Sequence, residues 1–247
     1  MDQPLIKIAG RKISRSHRPY IIAELSANHN GEQETAFKII DEARKSGADA
    51  VKIQTYRPDT ITLDSNMDDF KIKGGLWDGR TLYDLYEEAH MPWEWHKPIM
   101  KKAKELGMVC FSSAFDETSV EFLEKLNVPA YKIASFEITD LPLIKKVAET
   151  GKPIIISTGL ATLNEIREAV SIIKKTGCKK YILLKCTSMY PAPPESSNIL
   201  TIPKLRKLFK CEVGLSDHTI GIGSSLSAIA HGATIIEKHF TLDRKDG

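Results

Sequence analysis

Short apolar runs alternate with segments of helical period along most of the chain. Residues 20–25 form such a run with one carboxylate, Glu24, and the polar turn Ser26-Ala27-Asn28-His29-Asn30-Gly31 follows. Between residues 34 and 46 the apolar positions Ala36, Phe37, Ile40 and Ala43 recur at helical spacing, and Gly47 supplies a stop. The unit then repeats. Runs at 50–55, 109–114, 130–135, 153–158, 181–187, 212–218 and 234–240 predict the further strands. Helices are predicted at 93–106 with Pro92 suited to a first turn, after Thr118 and Glu121 as a capping box, and at 140–150. Others follow at 162–176 with the capping box Thr162 and Glu165, after Pro203, and at 222–231. Ahead of these, residues 5–8 and 11–14 flank Ala9-Gly10 and predict a small hairpin placed to cap a barrel floor.

Eight strands, seven of them followed by a helix, in a chain of 247 residues predict an α/β fold: a (β/α)8 TIM barrel with an N-terminal β-hairpin, filling residues 1–247 as one catalytic domain. A doubly wound open sheet is the alternative. Strand number disfavours it, and no GxGxxG follows the first strand. The last strand has no helix after it, and the chain stops at Arg244-Lys245-Asp246-Gly247, so a shortened protein or part of a longer one is expected. The connection from Thr55 to Pro92 exceeds what a barrel loop needs and carries a short helical stretch at 82–89. Long loops at this end of a barrel usually cover or select the substrate. Trp77, Tyr83, Tyr86 and the pair Gly74-Gly75 favour that role over a surface insertion.

Charge changes this picture little. Lysine and arginine total 35 against 32 acidic residues, and a net charge of +3 gives no reason to expect nucleic acid or a membrane surface as partner. The four cysteines, Cys110, Cys178, Cys186 and Cys211, form no CxxC pair and read as reduced core residues in a reducing cytoplasm. No apolar run approaches a membrane span, and Met1-Asp2-Gln3-Pro4 lacks a signal-peptide layout, so a cytoplasmic location is expected.

Candidate chemistry gathers at the strand ends. Parallel strands would bring Glu24, Lys52, Gln54, Ser113, Lys132, Ser135, Glu137, Ser157, Lys185, Ser216, His218, Glu237 and His239 to one rim. Lys52 and Lys132 would bind a phosphate or carboxylate, with Ser113, Ser135, Ser157 and Ser216 donating hydrogen bonds; a lone lysine is more often a solvated charge. His218 and His239 end neighbouring strands and would either hold a divalent cation with open coordination positions or make ordinary rim hydrogen bonds. His17, His90, His96 and His231 read as surface or loop residues, and His29 stays ambiguous. There is no GxSxG, Walker loop or HExxH. A Schiff-base aldolase using Lys132 or Lys185 is a rival that the histidine pair argues against, because metal and iminium are alternative ways to activate a carbonyl. A barrel that binds sugar or phosphate without turnover is the other.

One set of motifs resembles a known family. Ile21-Ile22-Ala23-Glu24-Leu25-Ser26-Ala27-Asn28-His29-Asn30-Gly31, Val51-Lys52-Ile53-Gln54-Thr55 and Tyr131-Lys132-Ile133-Ala134-Ser135 come first. Ile156-Ser157-Thr158-Gly159, Lys185-Cys186-Thr187-Ser188-Met189-Tyr190-Pro191, Gly214-Leu215-Ser216-Asp217-His218-Thr219 and Glu237-Lys238-His239-Phe240 complete the series. In this order they resemble the motif series of the sialic acid synthase family, over about residues 20–243. Residues 70–78 and Leu82-Tyr83-Asp84-Leu85-Tyr86-Glu87 resemble its pseudaminic branch more than its N-acetylneuraminate branch.

The resemblance implies condensation of phosphoenolpyruvate with an open-chain acetamido sugar to a nine-carbon 2-keto acid, with release of phosphate. The pseudaminic branch uses 2,4-diacetamido-2,4,6-trideoxy-altrose; the N-acetylneuraminate and legionaminate branches use other amino sugars. It implies that His218 and His239 ligate Mn or Mg and that Glu24 handles protons. Lys52, Lys132, Ser113, Ser135, Ser157, Ser188 and Ser216 would bind phosphoenolpyruvate, with Gln54 and Tyr190 toward the sugar. Ser188 replaces the asparagine of the N-acetylneuraminate branch. Family members usually carry a C-terminal antifreeze-like domain that reaches the partner's barrel in a homodimer and supplies an arginine, and an acidic residue near the metal; both are absent from this chain, which is therefore expected to be an incomplete enzyme.

Overall fold

In the computed structural model, residues 5–74 and 77–245 are described; Met1 to Pro4, Gly75 and Leu76 of the long connection, and Asp246-Gly247 lie outside the described residues. Strands β1 (Ile6–Ile8) and β2 (Arg11–Ile13) form the expected antiparallel hairpin. Next come β3 (Tyr20–Glu24), α1 (Gln33–Lys45) and β4 (Ala50–Thr55). The long connection carries α2 (Pro58–Ile61) and α3 (Leu82–Ala89) and leads into α4 (His96–Glu105). After it run β5 (Val109–Ala114), α5 (Glu117–Lys125), β6 (Tyr131–Ile133), α6 (Leu141–Glu149), β7 (Ile154–Ser157), α7 (Leu163–Lys175) and β8 (Tyr181–Cys186). Then come α8 (Thr201–Phe209), β9 (Glu212–Asp217), α9 (Gly223–Ala230) and β10 (Ile235–His239). Strands β3 to β10 close into a barrel, each parallel to its neighbours, with β10 returning to β3. This is the predicted TIM barrel.

Strand parity organises the interior. Successive strand residues face opposite sides, so Tyr20, Ile22, Ala50, Phe111, Ala130, Ile155, Ile182, Leu184 and Ile235 point inward and pack on Ile6, Ile8 and Ile13 of the hairpin, which plugs the floor as expected. The alternate positions face the helices, where Val51 and Ile53 meet Ile39, Ile40 and Ile99, and Leu183, Val213 and Ile236 meet Ile202 and Leu205. Gly214 sits where β9 passes close to its neighbours: a Cβ there would run into the Ile235 carbonyl and lie 2.7 Å from Leu184 Cδ2.

Local chemistry moved some boundaries. Asp116, not Thr118, caps α5: its carboxylate accepts from the amides of Thr118 and Ser119, and the reciprocal partner is the Ser119 hydroxyl rather than Glu121. An aspartate two residues earlier outcompetes the threonine because its charge also complements the helix N-terminus. The Thr162 and Glu165 box forms at α7 as expected. Helix α8 begins at Thr201, with Pro203 inside its first turn rather than ahead of it, where the missing N–H costs nothing. None of the described helices is long and apolar enough to cross a membrane.

Candidate active site

The C-terminal ends of the strands open into a cavity of about 850 Å³. Inward parity delivers Glu24 from β3, Lys52 and Gln54 from β4, Ser113 from β5, Lys132 from β6, Ser157 from β7, Cys186 from β8, Ser216 from β9, and Glu237 and His239 from β10. Ser135, Tyr190 and His218 join them from the loops. Among the predicted binding residues, Ser188 lies outside this lining; it is half-buried behind the wall, 3.8 Å from Cys186 Sγ. Lys185, expected at the rim, points the other way because it alternates with the inward Leu184 and Cys186. Its ammonium is held by Thr187 Oγ1 at 2.5 Å and the Ser196 carbonyl at 3.3 Å.

An ion network occupies the centre. Lys52 Nζ lies 2.9 Å from Glu24 Oε2 and 3.2 Å from Glu237 Oε2, and Lys132 Nζ lies 3.6 Å from Glu237 Oε1. Ser216 gives its hydroxyl proton to Glu237 Oε1 at 2.9 Å, and the Ser26 amide donates to Glu24 Oε1 at 3.1 Å. All four charged side chains are buried. Burial alone would raise the Glu237 carboxyl, but Lys132, Lys52 and the Ser216 hydroxyl outweigh it and hold it at about 2. Glu24 goes the other way: burial raises it, and Lys52 only partly opposes this. Burial lowers Lys132, with Glu237 opposing, whereas for Lys52 the two carboxylates overcome burial and raise it. The two lysines thus hold Glu237 toward its charged form, while burial pushes Glu24 toward its protonated form.

Around this network lie groups with capacity to spare. The hydroxyls of Ser113 and Ser157 are buried and have no protein hydrogen-bond partner. Ser135 Oγ accepts from the Gly159 amide at 3.1 Å; a Cβ on Gly159 would lie 2.9 Å from that oxygen, so glycine lets the loop after β7 approach the wall. Unpaired donors beside a lysine are what an oxyanion-bearing ligand needs.

The two histidines meet as the sequence suggested, with ring centroids 5.4 Å apart, and Tyr190 packs on both, at 4.1 Å from His218 and 5.5 Å from His239. His218 Nδ1 lies 2.7 Å from the Thr187 carbonyl, which can only accept, so Nδ1 carries a proton and the neutral ring would present its lone pair on Nε2; burial lowers this imidazole, but Cys186 and the Thr187 carbonyl outweigh it and raise it. Such an orienting bond typically stands behind metal-ligating histidine. Behind the wall Asp217 locks the two strand ends: it accepts from the Thr219 amide and hydroxyl, from Ser225 at 2.6 Å and from Lys238 at 3.0 Å. The protein mass around His239 and the charges of His218 and Lys52 hold it below the usual imidazole range, neutral and able to ligate. Two imidazoles with free nitrogens fit a divalent cation whose other positions belong to water and substrate. Among the described residues no His, Cys, Asp or Glu completes a group of three.

Some residues escaped the sequence reading. Cys186, which reads in the sequence as a core residue, lines the cavity 3.9 Å from His218 Nδ1. Burial would raise its thiol; His218, Ser135 and Lys132 outweigh that and bring it to about 7. His96, which reads in the sequence as a surface or loop residue, is instead fully buried, with Nε2 2.7 Å from Thr55 Oγ1. His29 is also buried, accepting from the Gly31 amide at 3.1 Å and packing on Trp95, so it shapes the first loop rather than entering the cavity. Glu137 stands beside the mouth with an unpartnered buried Oε2, and burial pushes its carboxyl up to about 7.

The chain is 51% identical over 225 residues to a pseudaminic acid synthase of Campylobacter jejuni, covering 91% of this chain and 66% of that protein. It is 48% identical to a pseudaminic acid synthase of Helicobacter pylori, covering 92% of this chain and 66% of the relative. It thus spans just under two thirds of these relatives. A crystal structure of N-acetylneuraminic acid synthetase from Leptospira borgpetersenii superposes with a TM-score of 0.87 at 31% identity, over 98% of this chain and 80% of that one. Residues 39–247 match the NeuB family, and the chain belongs to it.

Proposed function

We propose that this barrel, within its full-length protein, condenses phosphoenolpyruvate with the aldehyde of 2,4-diacetamido-2,4,6-trideoxy-altrose to give a nine-carbon 2-keto acid and phosphate. The observation that carries this reading is the pairing of an anion-binding floor with an adjacent histidine pair in one cavity. The pseudaminic choice rests on the Campylobacter and Helicobacter relatives.

Lys132 and the free hydroxyls of Ser113 and Ser157 would take the phosphate and carboxylate of phosphoenolpyruvate, with Ser135 and Lys52 alongside. The aldehyde would lie toward His218, His239 and Tyr190, with Gln54 on the same inward face as Lys52. Carbon 3 of phosphoenolpyruvate attacks the aldehyde carbon, whose oxygen becomes a hydroxyl by gaining one proton. The cation left at carbon 2 faces Glu24 and Glu237, whose negative charge favours it. Water adds there and gives one proton to Glu24, which the pairing with Lys52 keeps able to accept and pass it on. The tetrahedral intermediate then collapses by carbon–oxygen cleavage: the carbon-2 hydroxyl gives its proton to the departing phosphate as the keto group forms, and the proton that Glu24 takes from water matches the one gained by the aldehyde oxygen. His218 and His239 would hold Mn or Mg, which when bound supplies Lewis-acid polarisation of the carbonyl.

The test is phosphate release by the full-length protein supplied with phosphoenolpyruvate, Mn and a panel of amino sugars. Turnover with the 2,4-diacetamido-2,4,6-trideoxy sugar is expected; no release with any amino sugar would remove the reading. His218→Ala is expected to lose bound metal and activity together, and unchanged metal content would remove His218 as a ligand.

A further inference from the structure

The long connection after β4 contributes more than a cover to the cavity. Helix α3 is eight residues long and has no fully buried residue, although its sequence is amphipathic. Leu85, Glu88 and Ala89 stand at helical spacing and all face the cavity, with Tyr86 beside them. A short helix is normally stable only when its apolar face is covered. Here that face looks into the mouth of the site.

Two further aromatic side chains line the same mouth. Phe136, on the turn after β6, lines the same mouth at 69% exposed, and Trp77 does so at 49%. A single exposed aromatic needs no explanation, but several converging on one cavity do. The patch is also braced. Tyr86 packs edge-on against buried Tyr56 at 5.8 Å, and Tyr56 against Phe115 at 5.2 Å. Thr81 caps α3 through the Asp84 amide at 3.1 Å. Arg80 pairs with the exposed Glu88 carboxylate at 2.7 Å.

The cavity is therefore divided. Its base holds the lysines and free hydroxyls, the β9 and β10 side holds the histidine pair, and the connection after β4 and the turn after β6 bring Trp77, Leu85, Tyr86, Ala89 and Phe136 to its mouth. We infer that Leu85, Tyr86, Ala89, Trp77 and Phe136 form an apolar subsite for the methyl-bearing far end of the acceptor, its deoxy carbon 6 and the methyl of its 4-acetamido group. The subsite sets the acceptor class: deoxy, acetamido-substituted hexoses over those with hydroxyls at these carbons. Such a selector needs no charged contact, because replacing a methyl by a hydroxymethyl in an apolar pocket leaves a hydroxyl without its water.

This inference rests on the condensation reading, and the test separates the two. In the full-length protein, the ratio of kcat/KM for a 2,4-diacetamido-2,4,6-trideoxy hexose to that for its 6-hydroxy counterpart is measured by phosphate release, in the parent and in Phe136→Ala and Leu85→Ser. Both positions are accessible in the fold, so two substitutions guard against a local disturbance by either. The parent is expected to prefer the deoxy sugar by about 10- to 100-fold, and each variant to shrink that ratio about tenfold while KM for phosphoenolpyruvate holds. Turnover with a ratio unchanged in both variants overturns the subsite alone. No turnover with any amino sugar overturns the condensation reading and the subsite with it.

Discussion

On β10 the side chains of Ile235 and Glu237 enter the same barrel two residues apart, yet they belong to different kinds of interior. Ile235 joins a floor built from Ile6, Ile8, Ile13, Ile22, Phe111, Ile155, Ile182 and Leu184, where the Tyr20 hydroxyl is the one polar side-chain atom of the cluster. Glu237 joins a layer of buried charges and free hydroxyls. The floor removes apolar surface from water and needs no directional partner. The layer above it keeps polar groups incompletely satisfied, which costs free energy unless a ligand uses them. One sheet thus separates stability from chemistry by register alone.

The largest break in this division is expected from Lys52→Ala. It would leave Glu24 and Glu237 facing each other without the cation between them, and losing one member of a buried ion network costs about 3–5 kcal/mol. Urea unfolding should show that loss, and phosphate release should fall at least about 100-fold, the usual scale for removing a directed electrostatic contact. A stability change within about 0.5 kcal/mol, ordinary for surface substitutions, would show that the network does not hold the rim together.

The complementary break is at the floor. Ile8→Ala empties space beneath the barrel beside residues that are fully buried, at a cost of about 2–5 kcal/mol. Because Ile8 belongs to the hairpin plug and does not line the cavity, KM for both substrates should stay as in the parent, measured below the unfolding transition. A changed KM for phosphoenolpyruvate would mean that the two ends of the barrel are coupled.

How far the sequence reveals this division depends on the residue. The strands, the hairpin plug and most helices follow from periods of 2 and 3.6. Parity then carries Glu24, Lys52, Gln54, Ser113, Lys132, Ser157, Ser216 and His239 to one cavity. The same rule, applied to β8, places Cys186 beside Leu184 inside and turns Lys185 outward; composition concealed this, since a cysteine in an apolar run reads as core. His96 shares a helical stripe with Ile99 and Ala103, which signals burial despite its polarity. The Asp116 cap was hidden by a threonine with plausible spacing two residues on. The pairing of Glu24 with Lys52 and the free hydroxyls of Ser113 and Ser157 are three-dimensional facts with no periodic trace. The apolar face of α3 is similar: its stripe is legible, but its exposure to a cavity is not.

The smallest effect is the sharpest test of the comparison. Ser157→Ala removes a buried hydroxyl that has no protein partner and leaves a methyl side chain in the β7 wall. An unsatisfied buried hydroxyl costs about 1–3 kcal/mol, and part of that penalty should return, so the variant is expected to be more stable by about 1 kcal/mol in urea unfolding. The same change deletes a donor to an anionic ligand, and a hydrogen bond to a charged group contributes about 1.5–3 kcal/mol. KM for phosphoenolpyruvate should therefore rise about 10- to 100-fold, since each 1.4 kcal/mol is a factor of ten. Gain in one quantity and loss in the other is the signature of a group kept for binding at the expense of stability. A variant that is less stable and binds phosphoenolpyruvate as before would place Ser157 with the floor, as a packing residue of the barrel wall.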